Sequence, residues 1–449
     1  MTAAIEMAGT KIGRVRFSIV AMLFAVTIVN YADRATIAIA GPVLSKDLGF
    51  SPVQMGFIFS AFGWSYVIGQ IPGGWLLDRF GSKAVYFASI FMWSLFTLLQ
   101  GAVGLAAATF AFYTMFALRF LVGLAEAPSF PANARVVAAW FPANERGTAS
   151  AIFNSAQYFA TVLFAPIMGW ITTAMGWPYV FYFMGLVGII VSLIWLKVVY
   201  APNQHPYIEQ PELDYIERGG ALVNMDPAKG AARVDTQKKA FEWEHIQQLI
   251  SNRMMIGIYL AQYCINALTY FFITWFPVYL VQQRGMSILN AGFVASVPAI
   301  CGFAGGVLGG IWSDYMLRQG FSLTASRKTP IVIGMLLSTS MIICNYVDSH
   351  WLVVEVMALA FFGKGVGALG WAVVSDTVPK QIAGLSGGLF NMFGNLSSIS
   401  TPIIIGYIIQ NTGSFNGALV FVVANAVVAA FSYLVIVGEI KRIVLKEAS

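Results

Sequence analysis

Charge is what this chain has least of. Asp, Glu, Lys and Arg make up 10% of its 449 residues, against roughly 25% in an ordinary soluble domain. That scarcity excludes a conventional water-soluble surface. Cysteine is equally sparse: Cys264, Cys301 and Cys344 are widely spaced within apolar stretches, a pattern that points to neither a disulfide framework nor a thiolate metal site. Only three histidines occur, His205, His245 and His350, and all fall in loops or at an interface. The side chain that usually titrates near neutrality is therefore absent from the apolar runs, and a proton relay within them has to use carboxylates. No nucleophile–base set, Walker lysine or metal-ligand cluster appears. Enzymatic chemistry, ATP-driven pumping and a cofactor have no support in the chain.

What is present is apolar length. Hydrophobic residues make up 58% of the chain, and runs of about 20 residues, enough to span roughly 30 Å of hydrocarbon, recur throughout. Twelve candidate spans read as 17–40, 53–77, 84–106, 109–131, 147–173, 178–200, 254–281, 289–316, 329–347, 351–374, 384–410 and 415–438. Backbone groups in lipid must bond internally, so each span is a helix. The expectation is an all-α membrane protein.

The positive charges set its topology. Lys11, Arg14 and Arg16 precede the first span. Arg79, Lys83, Arg135, Arg146, the basic residues of 201–253, Arg318, Arg327, Lys328, Lys380, Lys441, Arg442 and Lys446 fall on the same side, against Lys46 and Arg284 on the other. The positive-inside rule puts both termini in the cytoplasm. The net charge of +6 is thus loop charge, and nucleic acid is not an expected partner. Ala38-Ile39-Ala40 resembles a signal cleavage site, but Asp33-Arg34 interrupts the apolar run before it.

The second half repeats the first. Gly74 and Asp78 recur as Gly310 and Asp314, 236 residues on; Pro142, Gly147 and Phe153-Asn154 recur as Pro379, Gly384 and Phe390-Asn391, 237 on; Pro42-Val43 recurs as Pro277-Val278, 235 on. So constant an offset indicates a duplicated six-helix unit, an organisation known among transporters. The division expected is a bundle at 1–200, a cytoplasmic linker at 201–253 with a short helix at Glu242–Leu249 and no chemistry of its own, and a bundle at 254–449.

Charges inside the spans nominate the site, since an ionised group at mid-bilayer costs about 2.5–3.5 kcal/mol on insertion scales. Tyr31-Ala32-Asp33-Arg34 lies in the first span. Either it is a structural ion pair, or Arg34 grips a substrate carboxylate as a planar fork while Asp33 exchanges a proton. Tyr31 and Arg34, three apart, share a face. Arg119 and Glu126 lie seven residues apart in the fourth span, about 10 Å along a helix axis. Glu126 has no cation within its own turn and precedes Pro128. It is either a protonated group hydrogen-bonded to a neighbouring helix or a proton carrier. Lys364, thirteen residues past Trp351 and without an acid within four positions, sits too deep to snorkel. Together Arg34 and Lys364 can hold the two ends of a dianion, with Trp371 seven residues on from Lys364. Tyr66, Asn154, Gln157, Tyr158, Gln262, Asn266, Tyr270, Asn391 and Asn395 supply uncharged hydrogen-bonding groups for a hydroxyl-rich ligand, or else join helices to one another. Asp78, Arg79, Gly81 and Lys83 form a tight turn suited to gating.

Several of these motifs carry a family resemblance. With twelve spans in a 6+6 duplication, Gly74-Trp-Leu-Leu-Asp78-Arg79-Phe-Gly81-Ser-Lys83 resembles the loop motif of the major facilitator superfamily. Asn30-Tyr31-Ala-Asp33-Arg34, Arg119 to Glu126-Ala-Pro128, and Trp140-Phe-Pro with Glu145-Arg-Gly147 are similar to its anion:cation symporter branch. Phe362-Gly-Lys364-Gly and Gly370-Trp371 are similar to bacterial hexarate transporters. The resemblance implies twelve transmembrane helices in two six-helix bundles, and proton-coupled import of glucarate or galactarate. It also implies a bacterial inner-membrane location and a monomer in the bilayer. Asp33 and Glu126 carry protons by this resemblance, and Gln157, Gln262 and Asn391 contact substrate. Left open are anion exchange, a hexonate or hexuronate as substrate, and an anion receptor on a transport fold. A receptor calls for a partner-binding extension, for which the sixteen residues before the first span offer little.

Overall fold

A computed structural model describes residues 13–105, 107–143, 145–225, 243–378 and 382–443. Lys11, Pro379, Lys380 and Lys446, and Glu242 of the short linker helix, lie outside the described residues, as does the side-chain environment at Gly384. The first half contains α1 (Val15–Leu48), α2 (Pro52–Phe80), α3 (Ser82–Gln100), α4 (Ala108–Glu126), α5 (Ser129–Trp140), α6 (Arg146–Ala174) and α7 (Trp177–Val198). Two short helices follow, α8 (Gln210–Arg218) and α9 (Trp243–Ser251). The second half holds α10 (Arg253–Tyr270), a π-helical turn at Phe271–Trp275, α11 (Phe276–Gln282), α12 (Ile288–Arg318) and α13 (Leu323–Ser338). It continues through α14 (His350–Val366), α15 (Gly370–Thr377), α16 (Ala383–Thr412) and α17 (Asn416–Phe431).

Eleven stretches among the described residues are long and apolar enough to cross a bilayer, with α4–α5 counted as one. The twelfth span is α2, 29 residues long; Gln70 and its glycine, serine, tryptophan and tyrosine residues lower its hydropathy. Local chemistry sets where the helices start. Ser51 and Gln54 form a reciprocal capping box ahead of Pro52, satisfying two N-terminal donors. The first span was expected to end at Ala40, but α1 continues through Pro42 to Leu48 and stops at Gly49, whose φ of 70° needs a residue without Cβ.

Each half packs on itself: α1 against α6 and α7, α3 against α4 and α7, α12 against α14, and α10 against α16 and α17. Between halves the principal contacts are α2 on α16 and α6 on α12. They gather at one end, where glycine lets two backbones meet. A Cβ on Gly56 would stand 2.6 Å from the Pro402 carbonyl, and one on Gly406 2.6 Å from that of Pro52. Phe59 meets Trp275 edge-on at 5.1 Å, and Gln410 accepts from the Val53 amide at 3.3 Å. Toward the other end the ion pairs of Asp78, Asp314 and Asp376 each stay within one half. The halves are therefore closed at the end bearing Gly49–Pro52 and splayed at the end bearing Asp78.

The segment after α7 is more than a connector. Residues through Met225 dock on the first half, with Ile216 fully buried. Glu212, fully buried, accepts from the Val15 and Arg16 amides at 3.0 and 3.1 Å and pairs with Arg16 Nη1 at 3.3 Å. Arg16 Nε meets Glu145 at 3.1 Å, and the Tyr215 hydroxyl donates to Glu145 at 2.6 Å. Nearby, burial against Trp140 and Tyr200 holds His205 below its usual pKa. A sequence scan has no means of finding such partners, almost 200 positions away. Glu212→Gln should destabilise this clamp by about 1–3 kcal/mol, since Arg16 keeps Glu145 and the amides lose only a charged acceptor. A lowered melting temperature and faster proteolysis within 201–225 would show it.

Candidate functional site

Four ionisable groups converge in the core of the first half. Arg34 on α1 places Nε 2.9 Å from Glu126 Oε2, with the glutamate fully buried. α4 ends at Glu126 and α5 begins at Ser129, so the carboxylate sits at the interruption around Pro128. The Arg34 guanidinium is also enclosed by the rings of Phe62, Tyr31 and Tyr66, at 4.5, 4.9 and 5.0 Å from its carbon to each centroid. Each such contact is worth about 0.5–2 kcal/mol. Asp33, on the next face of α1, does not pair with Arg34; it accepts from the Thr97 hydroxyl at 2.8 Å. Arg119 is buried, within electrostatic range of both carboxylates, and among the described residues its Nε has no hydrogen-bond partner. Among the same residues Glu126 Oε1 and Arg34 Nη2 also lack partners. Two acids and two bases thus balance in a low-dielectric core where interactions are strong and unpaired charge is costly.

Of the two readings the sequence left open for Asp33 and Arg34, the structural ion pair between them is not formed. Adjacent residues on a helix point about 100° apart, which separates Asp33 from Arg34 and turns Arg34 to a glutamate 92 positions away. Thr97, the Asp33 partner, went unnoticed because a single threonine in an apolar span carries no signal of its own.

Beside this core, between the halves, lies a cavity of about 720 Å³, counting space open to solvent. Tyr31, Gln157, Tyr158 and Thr161 line it from the first half, and Phe272 and Lys364 from the second. Of the residues expected to contact a ligand, the structure brings Tyr31, Gln157 and Lys364 onto this wall. Arg34 and Tyr66 stand behind it in the charged core. Gln262 donates to Asn266 at 3.2 Å, and Asn391 accepts from Asn395 at 3.0 Å. Tyr270 donates to the same Asn395 at 2.8 Å. These groups form a polar ladder within the second half and are not part of the cavity lining. Trp371 rests edge-on against Phe390, with centroids 5.0 Å apart. It lies seven residues beyond Lys364 but across a break, α14 ending at Val366 and α15 starting at Gly370. Phe272 and Phe276 were not singled out from the sequence, where they look like any other apolar span residue.

At the splayed end, Arg135 pairs with Asp78 and donates to Ser82, while Gly81 turns the chain at φ 81°. Arg79 lies over the rings of Trp75 and Phe80, and Lys83 over that of Tyr200. In the second half Arg327 joins Asp314 at 3.3 Å and Asp376 at 2.8 Å. The duplicated aspartates therefore meet an arginine in both halves.

Two six-helix bundles closed at one end, with a cavity and buried charges at their junction, define a polytopic transport protein. The chain belongs to the major facilitator superfamily, whose family model matches residues 23–326. It is a transporter, not an enzyme. It is 66% identical over 445 residues to the "Probable galactarate/D-glucarate transporter GudP" of Bacillus subtilis (strain 168), covering 99% of this chain and 96% of the relative. To the protein of the same name from Escherichia coli (strain K12) it is 66% identical over 431 residues, covering 96% and 95%. Among solved structures, it resembles a bacterial homologue of the human lysosomal transporter Spinster in an inward-facing, unoccupied conformation. That match has a TM-score of 0.72 at 18% identity and covers 96% of this chain and 98% of the other.

Proposed function

We propose that this protein is a proton-coupled symporter that imports hexarate diacids, glucarate and galactarate, across the bacterial inner membrane by alternating access. The observation that carries the reading is the buried Arg34–Glu126 pair, set beside Asp33 and just behind the cavity wall. Glu126 takes Arg34 Nε, and Arg34 Nη2 has no partner among the described residues. Protonating Glu126 frees the guanidinium, and a substrate carboxylate then becomes the partner that avoids leaving a buried cation unpaired. Substrate and proton thereby favour one another's binding, which is the linkage that symport needs. Relatives named as galactarate/D-glucarate transporters support the substrate class.

Energetics give the protons a purpose. Each negative charge entering against an inside-negative potential costs about 2.3 kcal/mol per 100 mV. A dianion enters neutrally with two protons, and Asp33 and Glu126 supply two sites. With the basic loops in the cytoplasm, the splayed end faces inward, and the turn at Asp78, Arg79, Gly81 and Lys83 acts as the inner gate when the halves rock. Both termini are then cytoplasmic, and the working unit is a monomer.

Proteoliposomes given a pH gradient and a membrane potential separately test this reading. Labelled glucarate should accumulate under the pH gradient, whereas the membrane potential alone should not drive a cycle in which two protons cancel the dianion's charge. Exchange without accumulation would instead establish an anion exchanger, and no glucarate movement would end the hexarate assignment.

A further inference from the structure

Lys364 is set apart by its surroundings. Its residue is 7% exposed, on α14 ahead of the break at Gly367–Leu369. The amine lies 5.2 Å from the centroid of the Phe361 ring, and no acidic group pairs with it among the described residues. Burying an ammonium without a counter-ion is expensive. The first half handles the same problem differently, balancing Arg34 and Arg119 with Asp33 and Glu126. Lys364 is buried, unpaired and on the cavity wall opposite Tyr31 and Gln157. Phe272, Phe276 and Phe361 surround that wall with apolar surface, which strengthens any charge interaction made there.

Resting on the sugar-acid reading above, we propose that Lys364 is the residue that selects diacids over monoacids. It does so by neutralising the carboxylate at the end of the substrate remote from Arg34. A hexonate presents a neutral hydroxymethyl group at that end and leaves the buried ammonium uncompensated. A hexarate of either epimeric series presents a carboxylate. An ammonium is a compact charge with three rotatable donors, without the fixed fork of a guanidinium. It therefore accepts a terminal carboxylate whatever the configuration of the carbinol carbons, so Lys364 reads the charge at the end of the chain and not its stereochemistry.

Binding to the purified full-length protein decides the matter, with labelled D-glucarate as the probe and unlabelled glucarate or D-gluconate as competitor. Wild type should prefer glucarate. In Lys364→Gln the glucarate-to-gluconate preference should fall by about 30-fold or more, the effect of removing one member of a buried charge pair. Gluconate binding itself should hold or improve, and Lys364→Arg should retain most of the preference. An unchanged preference in a folded Lys364→Gln, or an equal loss of both acids, overturns the assignment while leaving sugar-acid transport intact. Should that variant not purify, Lys364→Met and Lys364→Arg make the same comparison. A wild type that binds neither acid overturns the sugar-acid reading and this assignment together.

Discussion

Glu126→Gln should sharply reduce gradient-driven accumulation of hexarate while leaving substrate exchange across the membrane. Glutamine keeps the shape of the side chain and can still accept from Arg34, but it neither binds nor releases a proton. It resembles the protonated state permanently. Arg34 is then free for substrate at all times, so loaded carriers reorient and exchange proceeds without the proton cycle. Each proton lost from the cycle removes a driving force of about 2.3 kcal/mol per 100 mV. Since 1.4 kcal/mol is tenfold, accumulation falls by roughly 40-fold per 100 mV for each one. Parallel uptake and counterflow assays on the same proteoliposomes measure both quantities. A variant that accumulates substrate like wild type would place the coupling proton elsewhere, with Asp33 the next group to test.

Arg34→Ala should strongly destabilise the first half, and part of the loss should return when Glu126→Gln is added. Removing the guanidinium leaves Glu126 fully buried without its ion-pair partner, a cost of about 3–5 kcal/mol. It also empties the space among Phe62, Tyr31 and Tyr66. The paired variant carries no uncompensated glutamate, so its melting temperature should lie between those of Arg34→Ala and wild type. The non-additivity measures the coupling between the two side chains. Strict additivity would mean that the short contact contributes nothing, and Arg34 would then owe its place to the aromatic enclosure alone. Substrate binding should be lost in both variants, because neither retains the fork that takes a carboxylate.

The parts of this molecule that were legible in its sequence have short-range causes. Apolar runs and the constant offset between Asp78 and Asp314 are local or periodic signals. They mark the helices and the duplication without any knowledge of packing. Asp33, Arg34, Glu126 and Lys364 were equally visible, because an ionisable residue inside an apolar span is costly wherever it points. Their partners were another matter. Arg34 with Glu126, Asp33 with Thr97, and Glu212 with Arg16 are joined across 92, 64 and 196 positions. Nothing in one segment encodes the side-chain direction of another.

The sequence by itself therefore determined that the chain is a twelve-helix membrane protein of duplicated design, with ionisable groups held inside the bilayer. Hydropathy and repetition are properties of the chain alone, and they settle these matters. Only the tertiary structure decided which charges neutralise one another, that Lys364 has no acidic partner among the described residues, and which end of the molecule is closed. It also showed that the segment after α7 is clamped to the first half. Each of these depends on the angle at which helices cross and on which face of each helix meets its neighbour. Those quantities arise when distant surfaces pack together, at contacts such as Gly56 against Pro402, and no single span contains them.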